Sequence, residues 1–262
     1  MSKIKVKGVK LPLVGFGTWE LKGEACVRAV STAYELGYRH FDTALLYGNQ
    51  SDIRKALLGC DDVVYTSKFM PYHLDKMSIV QACEKACEEL GVETIDFFLM
   101  HYPDRKRKMA NIIEELSTLP KKKLAKCIGG SNFSIKHLKE IDTTQFGIDQ
   151  VEFHPYLYQK ELLAYCKAHD IQIVSFRSLG KGALTNDPIF DSIGKKYKKS
   201  ASQICLRWLV QKEIAVIPKT ASKQHMQENI DVLNFTLLDD DVAQLDHLEQ
   251  KQRFCQNQWC DF

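Results

Sequence analysis

The sequence lacks the features that mark disulfide-rich, membrane-spanning or nucleic-acid-binding proteins. Its nine cysteines include no C-x-x-C pair, which favours reduced thiols and a cytoplasmic protein over a disulfide framework. No run of about 18 apolar residues could span a membrane, and the Lys-rich start, Met1 to Lys10, has no apolar core of a signal peptide. A net charge of +3 is too small to indicate a nucleic-acid or membrane-surface partner.

Metal-binding patterns are missing as well. Cys83 and Cys87 lie one helical turn apart, but no nearby His or Cys completes a ligand set, so helix packing is the favoured interpretation. The run Lys121–Lys123 is interpreted as a solvated loop or helix end and not as a phosphate-binding patch. We therefore expect no metal cofactor.

Short apolar runs alternate with amphipathic segments about eight times along the chain. Lys3–Val9 begins the pattern as a half-exposed strand with a turn at Gly8, and Ile95–Met100 is typical of a strand buried on both faces. Asp75–Leu90 is predicted as a helix, and Val242–Leu248 as an extra C-terminal helix. Repeated strand–helix alternation without a linker predicts a parallel sheet with helical crossovers.

Two architectures satisfy this alternation, an open doubly wound sheet and a closed barrel. The open sheet that binds dinucleotides would favour Gly-x-Gly-x-x-Gly after its first strand, and the segment from Gly15 to Glu20 lacks the third glycine. The repeat count therefore favours an α/β fold of the (β/α)8 TIM-barrel type, with a short N-terminal β-hairpin and the extra helix at the end. All 262 residues fit one such domain, residues 1–262.

Four polar residues follow apolar runs at the ends of predicted strands or in the loop just after. They are Asp42, Tyr47, Lys68 and His101. In a barrel the carboxyl ends of the strands share one rim, where active sites lie, so these side chains are expected to converge. Each residue alone also fits a turn, a loop, a rim ion pair or a structural hydrogen bond, and only the combination indicates a catalytic site.

The combination indicates proton donation to a carbonyl oxygen. A tyrosine with its usual pKa of about 10 is a weak acid at neutral pH, and a nearby cation such as Lys68 favours the phenolate. Asp42 would keep Lys68 charged and in place, and His101 would orient the carbonyl oxygen. Such a set protonates the alkoxide that develops when hydride adds to a carbonyl.

The sequence resembles the aldo-keto reductase family along nearly all of its length. The matching segments are Gly15–Trp19, Gly37–Ala44, Tyr47–Asn49, Thr66–Lys68, His101–Pro103, Gly130–Phe133, Gln150–Glu152 and Val216–Lys219. In length the chain is similar to the bacterial 2,5-diketo-D-gluconate reductase B branch, which also reduces methylglyoxal. The resemblance implies an NADPH-dependent reductase of small aldehydes and ketones, with Tyr47 as the general acid.

The resemblance also implies a cofactor site. Ser131, Asn132 and Gln150 would bind the nicotinamide carboxamide, Phe176 would stack on the ring, and Lys219 and Thr220 would bind the 2′-phosphate. Further expected cofactor contacts are Gly17, Thr18, Asp42, Arg177, Leu179, Ser222, His225, Glu228 and Asn229.

The chain departs from the family pattern at the phosphate end of this site. The family usually has Arg at the position of His225 and often another near Ser222, and Arg binds phosphate bidentately, whereas His does not do so reliably at pH 7. NADPH is the favoured cofactor because of Lys219, and NADH is possible. Arg177-Ser178 replaces the usual Ser-Pro, so that Arg177 has either a phosphate or substrate contact or a surface ion pair.

The loop after His101 and the C-terminal tail are short, which implies an open pocket for small or hydrophilic carbonyl substrates. Its candidate walls are Trp19, Phe69, Tyr102 and Trp259. A monomer is the state that the resemblance implies. Two other functions remain open: a nicotinamide-binding redox-sensing module of the same fold, and a Schiff-base lyase that uses Lys68.

Overall fold

An N-terminal hairpin precedes the central sheet in the computed structural model, which describes residues 2–255. Its strands β1 (Lys3–Val6) and β2 (Val9–Pro12) pair in an antiparallel register. The predicted strand Lys3–Val9 is interrupted because Lys7 and Gly8 turn the chain, with φ angles of 44° and 92°. The left-handed region is open to glycine, so Gly8 suits this turn.

Eight parallel strands follow and pair with their neighbours in chain order. The strands are β3 (Phe16–Gly17), β4 (His40–Asp42), β5 (Val64–Phe69), β6 (Ile95–Met100), β7 (Ala125–Ser131), β8 (Phe146–Glu152), β9 (Gln172–Phe176) and β10 (Ala215–Val216). The first and last meet through a parallel bridge between Val14 and Val216, with the Gly15 amide donating to the Val216 carbonyl at 2.8 Å. The predicted (β/α)8 barrel with its N-terminal hairpin is confirmed.

Helices connect the strands and cover the barrel. They are α1 (Gly23–Glu35), α2 (Gln50–Ala56), α3 (Ile79–Leu90), α4 (Met109–Leu116), α5 (Ile135–Lys139), α6 (Lys160–Ala168), α7 (Pro188–Tyr197), α8 (Ala201–Gln211), α9 (Lys223–Asp231) and α10 (Asp239–Asp246). Four short 3-10 turns lie at Leu45–Tyr47, Pro71–Asp75, Gly180–Gly182 and Val232–Asn234. None of the helices within residues 2–255 has the length and apolar character that a membrane crossing requires.

Local capping decides where the helices begin and end. The predicted helix Asp75–Leu90 begins later, at Ile79, because Ser78 and Gln81 form a capping box while Pro71–Asp75 is a separate 3-10 turn. The extra C-terminal helix begins before the predicted Val242, since three aspartates in the first turn of α10 favour its N-terminus.

Candidate active site

A buried ion pair lies at the centre of the candidate site. The Lys68 ammonium at the end of β5 donates to Asp42 Oδ1 at 2.6 Å and to the Thr43 carbonyl at 2.9 Å. Gln150 Nε2 donates to the second carboxylate oxygen of Asp42 at 2.7 Å. Strands β4, β5 and β8 thus bring together three side chains that are far apart in the sequence.

Burial and pairing act in opposite directions on this pair. Burial raises the pKa of Asp42, while Lys68 and Gln150 lower it. Burial likewise lowers the pKa of Lys68, and Asp42 opposes this shift. The short contact and the full set of hydrogen bonds keep each charge compensated, as a buried ion requires.

Tyr47 lies beside the pair at the end of a short 3-10 turn. The Lys68 ammonium is 5.2 Å from the centre of the Tyr47 ring. The Trp19 and His101 rings contact the tyrosine at centroid distances of 4.7 Å and 5.7 Å. The four predicted catalytic residues are therefore neighbours at one rim of the barrel.

The environment keeps the Tyr47 phenol protonated. Burial raises its pKa well above the usual value, the charge of Asp42 and the phenol of Tyr102 act in the same direction, and Arg177 lowers it. Burial also lowers the pKa of His101 well below its usual value, and Lys68 and His73 add to the effect. At neutral pH the rim therefore holds a neutral phenol and a neutral imidazole.

A buried asparagine, whose role sequence reasoning missed, holds the Tyr47 loop in place. The Asn49 amide group donates to the carbonyls of Thr18 and Leu21 at 2.9 Å, and its oxygen accepts from Thr43 Oγ1 at 2.8 Å. These bonds tie the loop after β4 to the loop after β3, which carries Trp19. The motif Tyr47-Gly48-Asn49 was visible in the sequence, but its long-range partners were not.

The three predicted nicotinamide-binding residues lie together at the ends of β7 and β8. Ser131 Oγ donates to the Gln150 carbonyl at 2.7 Å, and Asn132 Nδ2 donates to the His101 carbonyl at 3.0 Å. The side-chain oxygens of Asn132 and Gln150 accept no hydrogen bond from residues 2–255. Two free amide oxygens beside Tyr47 fit the amide group of a nicotinamide carboxamide.

The predicted phosphate-binding residues lie at the N-terminus of α9. The Ser222 hydroxyl caps α9 by accepting from the His225 amide, and Thr220 Oγ1 accepts from the Ser222 amide at 3.0 Å. The exposed Lys219 ammonium lies 3.7 Å from a carboxylate oxygen of Glu20. Glu20 was missed by sequence reasoning, since nothing in its local pattern indicates a partner 199 residues away.

The remaining predicted cofactor residues surround these two ends. Gly17 ends β3 where a Cβ atom would lie 2.5 Å from the Ile217 carbonyl oxygen, and Thr18 Oγ1 donates to the Asp42 carbonyl at 2.9 Å. Asn229 is buried in α9 and Glu228 precedes it half-buried. Half-buried positions at and just beyond the end of β9 are occupied by Phe176, Arg177 and Leu179.

The structure corrects one predicted pocket wall. Phe69 is fully buried and stacks on Phe98 at 5.4 Å, because it follows Lys68 in the same strand and faces the opposite side. Trp19 is 45% exposed at the mouth, and Tyr102 stacks on His101 at 5.3 Å. Trp259 lies outside the described residues. Leu46 and Tyr72 are exposed apolar side chains in neighbouring loops that the sequence analysis did not identify.

Within residues 2–255, no three His, Cys, Asp or Glu side chains come together in a metal-binding arrangement. The chemistry of the described site therefore rests on the ion pair, the phenol, the imidazole and the amide groups. This set can hold a carbonyl compound and deliver a proton to its oxygen.

Comparison with known proteins places this geometry in a family. The profile of the aldo/keto reductase family matches residues 13–250. The uncharacterized oxidoreductase YtbE of Bacillus subtilis is 36% identical over 94% of this chain and 92% of its own. The glyoxal reductase of the same organism is 32% identical, with 94% and 92% of the two chains covered.

Solved structures give the same result. Gox0644 in its apo form superposes with a TM-score of 0.90 at 30% identity, covering 95% of this chain and 94% of its own. The aldose reductase of Schistosoma japonicum superposes with a TM-score of 0.88 at 26% identity, covering 97% and 94%. Members of the family generally use NADP(H). The chain belongs to the aldo/keto reductase family and is an NAD(P)H-dependent carbonyl oxidoreductase.

Proposed function

We propose that this protein reduces small aldehydes and ketones, including methylglyoxal and diketo-gluconate-like compounds, with NADPH as the favoured cofactor and NADH accepted. It would act as a cytoplasmic monomer with residues 1–262 forming one barrel domain. The observation that carries the proposal is the arrangement of the Tyr47 phenol beside the buried Lys68–Asp42 pair and the His101 ring. The relative named glyoxal reductase supports the substrate class.

The proton comes from Tyr47. Bound NADPH would supply the hydride that adds to the carbonyl carbon. Tyr47 keeps its proton in the resting site and transfers it to the carbonyl oxygen as negative charge develops there. His101, which is neutral, orients that oxygen from the other side. The charge left on the phenolate is stabilised by Lys68, whose ammonium lies 5.2 Å from the ring centre.

The cofactor would be held by residues at both ends of the site. The free side-chain oxygens of Asn132 and Gln150 would accept from the carboxamide, with Ser131 beside them, and Phe176 would stack on the ring. At the other end Lys219, Thr220, Ser222 and His225 would contact the 2′-phosphate. The further proposed contacts are Gly17, Thr18, Asp42, Arg177, Leu179, Glu228 and Asn229.

The ion pair also argues against a Schiff-base lyase. Lys68 is fully buried, and its ammonium donates to both Asp42 and the Thr43 carbonyl. A carbonyl substrate would have to displace both contacts to reach the nitrogen. A lyase needs an accessible, neutral amine, and the carboxylate favours the charged form.

Replacing Tyr47 by Phe tests the proposal directly. The substitution removes the proton donor and keeps the ring that packs on Trp19 and His101. We expect NADPH oxidation with methylglyoxal to fall by at least about a hundredfold, because general acid catalysis contributes about 10²–10⁴-fold. NADPH affinity, measured by quenching of protein fluorescence, should stay within about twofold.

The control is Tyr72→Phe, which removes a hydroxyl from an exposed tyrosine in the loop after β5. Its turnover should match that of the wild type. Equal turnover by the wild type and Tyr47→Phe would disprove the assigned proton donor. Cofactor binding without turnover of any aldehyde in the wild type would instead favour the redox-sensing module.

A further inference from the structure

Arg177 is a half-buried guanidinium at the rim that carries Tyr47. It directly follows β9, and its Nη1 donates to the carbonyl of Phe254. No carboxylate among residues 2–255 pairs with it. A guanidinium has five N–H donors in a rigid fork and never loses its charge, so most of the donors of Arg177 remain available to a ligand.

The backbone at Arg177 is held in an unusual conformation. Its φ is +50°, in the left-handed region that favours glycine, and its carbonyl accepts from the Gly180 amide at 2.8 Å in a tight turn. A glycine would form this turn with less strain. A long charged side chain at a strained position beside an active site is a common sign of function.

The charge of Arg177 reaches the catalytic phenol. It lowers the pKa of Tyr47, against the larger effect of burial. The guanidinium therefore lies close enough to the mouth to act on a molecule whose carbonyl contacts Tyr47. An anionic group a few bonds from that carbonyl would meet it.

A second set of positive charges flanks the same mouth. The run Arg105–Lys108 forms the loop between β6, which leads into His101, and α4. Arg107 is paired with Asp104 and Asp75 and fixes the loop, whereas Lys106 and Lys108 are exposed and without ion-pair partners within residues 2–255.

Helix stability does not explain these lysines. Lys108 is the N-cap residue of α4, and the first turn of this helix contains no acidic residue. Cations are unfavourable at a helix N-terminus, and adjacent like charges repel. The positive charge at this rim instead attracts anions toward the mouth, as clefts lined by one sign of charge do.

We propose that the mouth selects carbonyl compounds that carry an anionic group, a carboxylate or a phosphate, and that Arg177 binds this group. Lys106 and Lys108 increase the rate at which such substrates arrive. The proposal rests on the reductase function proposed above and names its substrate class.

The main experiment compares 4-carboxybenzaldehyde with its neutral methyl ester at saturating NADPH. The two aldehydes differ in charge next to the same reacting group, so the ratio of their kcat/KM values isolates recognition of the anion. We expect the wild type to favour the carboxylate. Arg177→Met should lower this ratio about tenfold or more, because hydrogen bonds between charged groups are stronger than neutral ones and the site excludes part of the water.

The matched control is Lys181→Met. Lys181 lies four residues further along the same loop, has a left-handed φ of 57°, and is exposed. It removes the same unit of charge from the same segment and should leave the ratio within about twofold. An equal fall in both variants, or no fall in Arg177→Met, would overturn the proposal.

The two kinds of anion are separated by a second pair of substrates, glyceraldehyde and glyceraldehyde 3-phosphate. The pair with the larger Arg177-dependent ratio identifies the anionic group that the site prefers. Lys106→Gln with Lys108→Gln should weaken the fall of kcat/KM that added NaCl causes for the anionic substrates, since salt screens exposed charges. An unchanged salt dependence would contradict the role of these lysines.

A binding measurement keeps this inference separate from the reductase function. Calorimetry of the alcohol product 4-(hydroxymethyl)benzoate and of its methyl ester requires no turnover. If the protein reduces no aldehyde but binds the benzoate through Arg177, the reductase function is wrong and the anion site stands. If Arg177→Met weakens NADPH binding and leaves both ratios unchanged, Arg177 serves the cofactor and the inference is wrong.

Discussion

Replacing Lys68 by Met tests whether the buried ammonium stabilises the phenolate that forms during proton transfer. The Lys68 ammonium lies 5.2 Å from the centre of the Tyr47 ring. At that distance, and with an effective dielectric constant of about 20, Coulomb's law gives about 3 kcal/mol between unit charges. Such a loss corresponds to about a two-hundredfold fall in rate. Methionine keeps most of the length of the side chain, so packing changes little.

The same substitution leaves Asp42 with only Gln150 as a side-chain partner. Breaking a buried pair by removing one member costs about 3–5 kcal/mol, because an uncompensated charge remains. The stranded carboxylate also raises the pKa of Tyr47 and opposes formation of the phenolate. The double variant Asp42→Asn/Lys68→Met removes both charges and keeps an acceptor for Gln150. We therefore expect it to unfold at a higher temperature than Lys68→Met and to react at least as fast.

The assay combines thermal unfolding with single-turnover oxidation of NADPH by methylglyoxal, which separates the chemical step from product release. Native near-ultraviolet circular dichroism would show that each variant is folded. The reasoning is refuted if the single and double variants have the same melting temperature and the same rate. That result would mean that the pair is neutral in the folded protein and that Lys68 acts on Tyr47 only through packing.

Further predictions concern the cofactor and the stability. Glu20→Gln removes the carboxylate 3.7 Å from Lys219 and should lower the KM for NADPH about two- to fivefold, as an exposed pair allows, with no change for NADH. His225→Arg should also lower the KM for NADPH more than that for NADH, and an equal effect would place His225 away from the phosphate. Burial raises the pKa of Asp149 well above its usual value. The stability that this carboxyl contributes is therefore present below the pKa of the unfolded chain, near 4, and is lost as pH rises through the folded-state pKa. Asp149→Asn keeps the acceptor of the Phe133 amide, so its gain in melting temperature should grow from pH 5 to pH 9; a constant difference would contradict the raised pKa.

The catalytic residues could be predicted because the barrel converts sequence position into spatial position. Asp42 and Lys68 each follow an apolar run at a strand end, His101 comes one residue later and Tyr47 lies in the next loop. Parallel strands of a closed barrel end at one rim, so residues from different repeats meet without any local signal of the contact. Strand alternation, which faces neighbouring residues to opposite sides, also predicts that Phe69 packs away from Lys68, and here the sequence analysis was wrong.

Other features have no local signal at all. The contact between Glu20 and Lys219 and the clamp that Asn49 forms on Thr18 and Leu21 join loops from different repeats. Their residue types are common in loops, and nothing in their spacing indicates a partner. The beginning of α3 at Ile79 is different, since the capping pair of Ser78 and Gln81 is readable but competes with a plausible earlier start.

Closure of the barrel and construction of the active site are the same structural event. The Gly17 amide donates to the Pro218 carbonyl at 3.2 Å, and a side chain at this position would meet the Ile217 carbonyl. Thr18, the next residue, donates from both its amide and its hydroxyl to the Asp42 carbonyl, at 3.1 Å and 2.9 Å. The seam between β3 and β10 therefore holds the backbone of the residue that pairs with Lys68. A substitution that opened this seam would displace the carboxylate, so that barrel integrity and catalysis are lost together.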